Sequence, residues 1–127
     1  MIAATILVVE DEPILALELT EDLGKASYSV PATINNGDMI LAGVLKHKPD
    51  LIIMDIKLFG FRNGLEEALR LRAFFKTPII YLSSYPYEEV KVQVERTQPA
   101  WYLEKPYDES RLMALIDEVL SKDSIRA

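Results

Sequence analysis

Five short apolar runs, none of them long enough for a helix, alternate along this chain with longer segments whose apolar residues recur at helical spacing. The runs are Thr5 to Val9, Ser29 to Ala32, Leu51 to Met54, Ile79 to Leu82 and Trp101 to Leu103. Strands covered by helices on both faces read as unbroken hydrophobic stretches, so the pattern predicts an α/β protein with a buried parallel sheet. The first helix is read from Pro13, which the first helical turn tolerates, to about Lys25, with Leu15, Leu19 and Leu23 inward. A second opens at Asn36-Gly37-Asp38, turns Ile40, Leu41 and Val44 inward, and ends at Lys48-Pro49-Asp50. The third carries Leu65, Leu69 and Phe74 toward the core and stops at Thr77-Pro78. The fourth is polar and covers Glu88 to about Thr97. The last is capped by Asp108, with Leu112, Leu115, Ile116 and Val119 as its apolar stripe, and the tail from Ser121 is expected to fray.

Three of the runs lead into ionisable groups. Glu10 and Asp11 close the first, Asp55 closes the third, and Lys105 follows the fifth. In parallel strands these groups reach one edge of the sheet, and the carboxyl ends of strands are where open α/β sheets bind ligands. Carboxylates held a few ångström apart repel, so Glu10, Asp11 and Asp55 call for protons or a cation. Mg²⁺ suits such a site because it takes oxygen ligands and shares its octahedron with water and phosphate oxygens, and Asp11 and Asp55 are the candidate direct ligands. A carboxylate can also attack phosphorus to give an aspartyl phosphate, a transfer driven by positioning and charge neutralisation. Lys105 is the neutralising group, and the Ser83 hydroxyl at the end of the fourth run is placed to donate to a phosphoryl oxygen.

Composition narrows the setting. The 127 residues suit one domain, 1–127, able to bury roughly two-thirds of its unfolded surface. Half are hydrophobic and 27% charged, which argues against disorder. No cysteine is present, so disulfides and thiolate metal sites are excluded, and no run approaches a membrane span. A cytoplasmic location without a membrane partner is the expectation. A net charge of −6 opposes attraction to phosphate backbones, so direct nucleic-acid binding is not expected.

Read in order, Val9-Glu10-Asp11-Glu12, Ile53-Met54-Asp55-Ile56-Lys57-Leu58, Tyr81-Leu82-Ser83-Ser84 and Tyr102-Leu103-Glu104-Lys105-Pro106 resemble the motifs of a bacterial response regulator receiver domain over essentially the whole chain. The resemblance implies a doubly wound five-stranded parallel sheet in the flavodoxin-like order 2-1-3-4-5, with five helices on both faces. It implies that Asp55 accepts a phosphoryl group from a histidine kinase or phosphotransfer protein. Mg²⁺ would be held by Asp11, Asp55 and the Lys57 backbone carbonyl, with Glu10 acting through water. It also implies that Ser83 swings toward the phosphoryl group while the Tyr102 ring moves inward, remodelling the surface of helix four, strand five and helix five. A downstream effector, an attached output domain or a phosphorylation-dependent homodimer would read that surface. Such a domain is a signalling phosphoacceptor with self-phosphorylation and autodephosphorylation chemistry, not a turnover enzyme.

The chain departs from the family's commonest pattern. The loop Leu58-Phe59-Gly60-Phe61-Arg62-Asn63-Gly64 is one residue longer than the family's frequent Asp-to-Gly spacing and lacks its usual proline, and Trp101 stands where glycine is common. Helix four is therefore expected to be short or displaced. Lys57 and Tyr85 occupy positions that in this family tune attack by water, and Tyr85 is expected to shield the phosphoryl group. Phe59, Phe61, Tyr85, Tyr87 and Tyr107 ring the site, either as a rim for a kinase or as local packing. Two other functions compete. A Mg²⁺-dependent phosphatase passing through an aspartyl phosphate usually carries a second acid two residues after its nucleophile, where this chain has Lys57. A pseudo-receiver would bind its partner without phosphorylation, although every acceptor-site group is present. His47, without a cluster around it, is read as a residue near a helix end with no role in the chemistry.

Overall fold

Alternation along the strands sends successive side chains to opposite faces of the sheet and so builds two separate cores. The computed structural model describes residues 3–57 and 63–126, with side chains described through Ser121. The strands are β1 (Ile6–Val9), β2 (Thr33–Ile34), β3 (Leu51–Asp55), β4 (Ile79–Ser83) and β5 (Ala100–Glu104). The helices are α1 (Pro13–Lys25), α2 (Ile40–His47), α3 (Gly64–Leu71), α4 (Tyr87–Glu95) and α5 (Glu109–Arg126). All five strands are parallel and lie in the order β2-β1-β3-β4-β5, the expected doubly wound sheet. Ile6, Val8, Leu51, Ile53, Ile80, Leu82 and Leu103 face Leu23, Leu112, Ile116 and Val119, on the side of α1 and α5. Leu7, Val9, Ile52, Met54, Ile79 and Tyr81 face Ile40, Val44, Ala68, Leu71 and Val94, on the side of α2, α3 and α4. A fully buried Ile or Leu contributes about 1.5–3 kcal/mol, so the central strands anchor the molecule.

Four sequence expectations are corrected by the structure. The second strand is Thr33–Ile34 and not Ser29 to Ala32. Ser29 does bridge to Thr5 through Ile6 N–H on Ser29 O (2.8 Å) and Ser29 N–H on Ala4 O (2.9 Å). The register then slips by one residue before Val8 pairs with Thr33, because Pro31 has no N–H to continue the ladder. In α3 the inward residues are Leu65, Ala68 and Leu71, whereas Leu69 is 48% and Phe74 69% exposed. The helix ends at Leu71, so Phe74 lies beyond its periodicity. In α1, Ala16 and Leu23 are buried and Leu15 is exposed. The tail from Ser121 continues α5 to Arg126.

Asn36 opens its helical segment as read from the sequence, whereas the cap at Asn63 was not read. The Asn63 side chain caps α3 by accepting from Glu66 N–H at 2.9 Å, and Asn36 does the same for Asp38 N–H in the short 3-10 turn before α2. α4 keeps nine residues despite Trp101 and the short segment before it.

Candidate functional site

Three parallel strands deliver the acidic trio and the lysine to one edge. β1 ends just before Glu10 and Asp11, β3 ends on Asp55, and Lys105 directly follows β5, its N–H continuing the ladder onto Ser83 O at 2.7 Å. Carboxylate oxygens of Glu10, Asp11 and Asp55 lie within 4.8 Å of one another. Glu10 is 7% and Asp55 5% exposed, and Asp11 is half-buried. Lys105 Nζ donates to Asp55 Oδ2 at 2.8 Å, while Lys57 N–H donates to Oδ1 at 2.8 Å. Both oxygens of Asp55 are therefore aimed by fixed donors. Gly64 opens α3 against this point: a Cβ there would stand 2.9 Å from Met54 Sδ and 3.1 Å from Asp55 O, so a side chain would push the helix off the strand end.

The electrostatics are those of a site short of positive charge. Burial pushes the Glu10 carboxyl up to about 7, and the Asp55 charge and the Asp11 hydrogen bond add to it against Glu12 N–H and Lys105. Burial alone would lower the Lys105 ammonium, but its hydrogen bond to Asp55 and the charges of Asp55 and Glu10 hold it above its ordinary value. Among the described residues, Lys105 alone is paired with the three clustered carboxylates, an imbalance that a hard divalent ion fits.

Ser83, Tyr85 and Tyr102 form a second layer. Ser83 is fully buried, one residue past the β4 partner of Asp55, and its Oγ accepts from Tyr85 N–H at 3.0 Å. The Tyr102 hydroxyl donates to Tyr85 O, and its half-buried ring lies 5.3 Å from that of Tyr87, tilted by 57°. Lys57 Nζ sits 5.4 Å above the Tyr85 ring. Tyr107 lines two grooves, one of about 690 Å³ between α4 and α5 across β5, and one of about 430 Å³ that reaches Glu10 and Lys105 beside α1.

The structure thus brings together Glu10, Asp11, Asp55 and Lys105, with Ser83 on the adjacent strand. Of the expected aromatic rim, Phe59 and Phe61 lie outside the described residues, Tyr87 packs on Tyr102, and Tyr85 stays exposed under Lys57. His47 is half-buried at the end of α2, away from this edge. Sequence reading missed Arg72, Tyr81 and Thr97, which form a hydrogen-bonded group beneath α4. Their one local signal is a tyrosine within the apolar run of β4.

Comparison with known proteins agrees with this geometry. Residues 6–117 match the family model described as response regulator receiver domain. The chain is 35% identical over 121 residues to protein PilH of Pseudomonas aeruginosa, covering 93% of this chain and 98% of PilH. It is 32% identical over 121 residues to the phyllosphere-induced regulator PhyR of Methylorubrum extorquens, covering 93% of this chain and 44% of PhyR. The chain spans about half the length of PhyR and of the Mycobacterium tuberculosis regulator PdtaR, 44% and 57% respectively. The BeF3-activated receiver domain of RstA from Klebsiella pneumoniae superposes with a TM-score of 0.83 at 27% identity, covering 91% of this chain and 97% of that one. Among the described residues no helix is long and apolar enough to cross a membrane. By its sheet order, its motif positions and the matched family model, the chain belongs to the response regulator receiver domains of two-component signalling.

Proposed function

We propose that Asp55 accepts a phosphoryl group from a histidine kinase or phosphotransfer protein and that the chain works as a phosphorylation-dependent switch. The observation that carries this reading is the Asp55 carboxylate itself, nearly buried, with Lys57 N–H on one oxygen and Lys105 Nζ on the other. One Asp55 oxygen attacks phosphorus, the phosphorus–nitrogen bond of the donor phosphohistidine breaks, and its electron pair returns to the imidazole. Asp11, Asp55 and the Lys57 carbonyl would hold Mg²⁺ directly, with Glu10 acting through water. Bound Mg²⁺ supplies neutralisation of the phosphoryl oxygens. Lys105 moves its hydrogen bond from the carboxylate to a phosphoryl oxygen, and the Ser83 hydroxyl donates to another.

That change frees Tyr85 N–H and alters the seat of Tyr102, so the surface of α4, β5 and α5 is reshaped. A separate effector, an attached output domain or a second copy of the chain reads it. The chemistry is self-phosphorylation and autodephosphorylation rather than turnover of a substrate. The phosphatase alternative gains nothing from the site, where exposed Lys57 stands in place of a second acid. Incubation with Mg²⁺ and acetyl phosphate, or with a phosphorylated kinase, is expected to add one phosphoryl group by intact mass, abolished in Asp55→Asn. A folded wild-type chain that takes no label from either donor, or an Asp55→Asn chain that labels equally, overturns the proposal.

A further inference from the structure

α4 is fastened at one end. Val94, near its carboxyl end, is its only fully buried residue, with Tyr87 and Val90 partly buried. Just beyond, Thr97 is 1% exposed and its hydroxyl donates to Val94 O at 2.8 Å. That leaves the fully buried Tyr81 hydroxyl as the donor in the 2.7 Å bond to Thr97 Oγ1. From the end of α3, Arg72 Nε donates to Thr97 O at 2.7 Å and Nη2 to Pro99 O at 3.0 Å, while Nη1 reaches Phe75 O at 3.2 Å. One guanidinium thus ties α3 to both the end of α4 and the start of β5. Breaking a bond in such a group strands a buried partner, so the arrangement resists displacement.

The amino-terminal end of α4 is held by bonds nearer solvent. Tyr87 N–H donates to Glu104 Oε2 at 3.2 Å, the Tyr102 hydroxyl donates to Tyr85 O, and Tyr85 N–H donates to Ser83 Oγ. Two of these three are exposed, and the third ends on the hydroxyl assigned to the phosphoryl group. Among the described residues, nothing on this side matches the forked grip of Arg72.

We infer that Arg72, Tyr81 and Thr97 form a fixed pivot under the carboxyl end of α4, so that a change at Ser83 displaces its amino-terminal turn and leaves its carboxyl turn in place. The trigger rests on the proposed role of Ser83; the pivot is a property of the chain without phosphate. Arg72, Tyr81 and Thr97 are positioning residues, acting on the switch surface without touching the acceptor.

Amide hydrogen exchange on the full chain tests it. In Ser83→Ala, amides of residues 85–89 are expected to exchange about fivefold faster, the effect of one lost hydrogen bond, while those of residues 94–98 stay within roughly twofold. Equal acceleration at both ends overturns the pivot. Adding Arg72→Lys, which keeps the charge and loses the fork, is expected to spread the acceleration to residues 94–98, and Tyr81→Phe gives the same test if the arginine variant folds poorly. Acceleration that stays confined in both overturns the assignment. With Mg²⁺ and beryllofluoride, adduct formation at Asp55 is scored separately by mass. An adduct with uniform change along α4 also overturns the pivot, whereas a missing adduct counts against the phosphoacceptor reading while the Ser83→Ala comparison still decides the pivot.

Discussion

The two faces of the sheet are covered by different chemistry. Under α1 and α5, away from the edge that carries Glu10 and Asp55, the buried side chains are apolar, and α5 alone sets Leu112, Ile116 and Val119 among them. Under α2, α3 and α4 the core contains the Tyr81 hydroxyl and leans on Thr97, and α4 adds one fully buried residue. Apolar packing has no preferred direction and resists opening everywhere, whereas a few directional bonds hold a helix in one pose that can be exchanged for another. The difference teaches where such a domain can change shape: at α4, which sets one fully buried residue into the core, next to the strand that carries Ser83.

Substitutions on the two faces should separate these contributions. Ile53→Ala, on the α1 and α5 side, is expected to lower unfolding stability by about 2–5 kcal/mol in urea titration and to weaken protection in every strand; a loss confined to one helix would break the comparison. Lys105→Met, at the junction of the faces, removes the donor on Asp55 Oδ2 and is expected to slow phosphorylation by acetyl phosphate by about 10²-fold or more at unchanged fold. A rate within a few-fold of wild type would remove Lys105 from the transfer step.

Tyr81→Phe, on the α4 side, is expected to cost about 1 kcal/mol at neutral pH, because Thr97 keeps Val94 O as acceptor. Burial pushes the Tyr81 phenol from 10.0 up to about 12, so the folded chain keeps a proton that the unfolded chain releases. That stabilisation is complete below pH 10 and is lost as pH rises toward 12, a decline that Tyr81→Phe should flatten in alkaline urea titrations. An identical alkaline slope in the variant would contradict the buried phenol. The smallest effect is expected at Tyr85, whose exposed ring carries Lys57: Tyr85→Ala should shorten the aspartyl phosphate lifetime by roughly 2- to 5-fold, the weight of one exposed cation–π contact. An unchanged rate would show that the ring shields nothing.

The central strands could be read from the sequence because burial on both faces keeps Ile6–Val9, Leu51–Met54 and Ile79–Leu82 free of polar side-chain atoms apart from the Tyr81 hydroxyl. The acidic trio and Lys105 followed from where those runs end, while the strand order came from resemblance and not from periodicity. The β2 position was hidden because Ser29 and Thr33–Ile34 both pair with β1, on either side of Pro31. In α3 the choice of Leu69 and Phe74 over Ala68 and Leu71 shows the weakness of side-chain size as a guide when a helix ends early. The Arg72 group could not be anticipated, since Arg72 and Thr97 are 25 residues apart and neither is unusual in its own segment.

The proline that interrupts pairing beside β1 has a counterpart across the sheet. β2 and β5 are the two outer strands, and β5 is bracketed by Pro99 and Pro106 as β2 is preceded by Pro31. Outer strands otherwise present a free row of amides on which a further chain can grow, and missing N–H groups at their ends make them poor templates. Each margin of the sheet is thereby blunted against runaway stacking of neighbouring molecules.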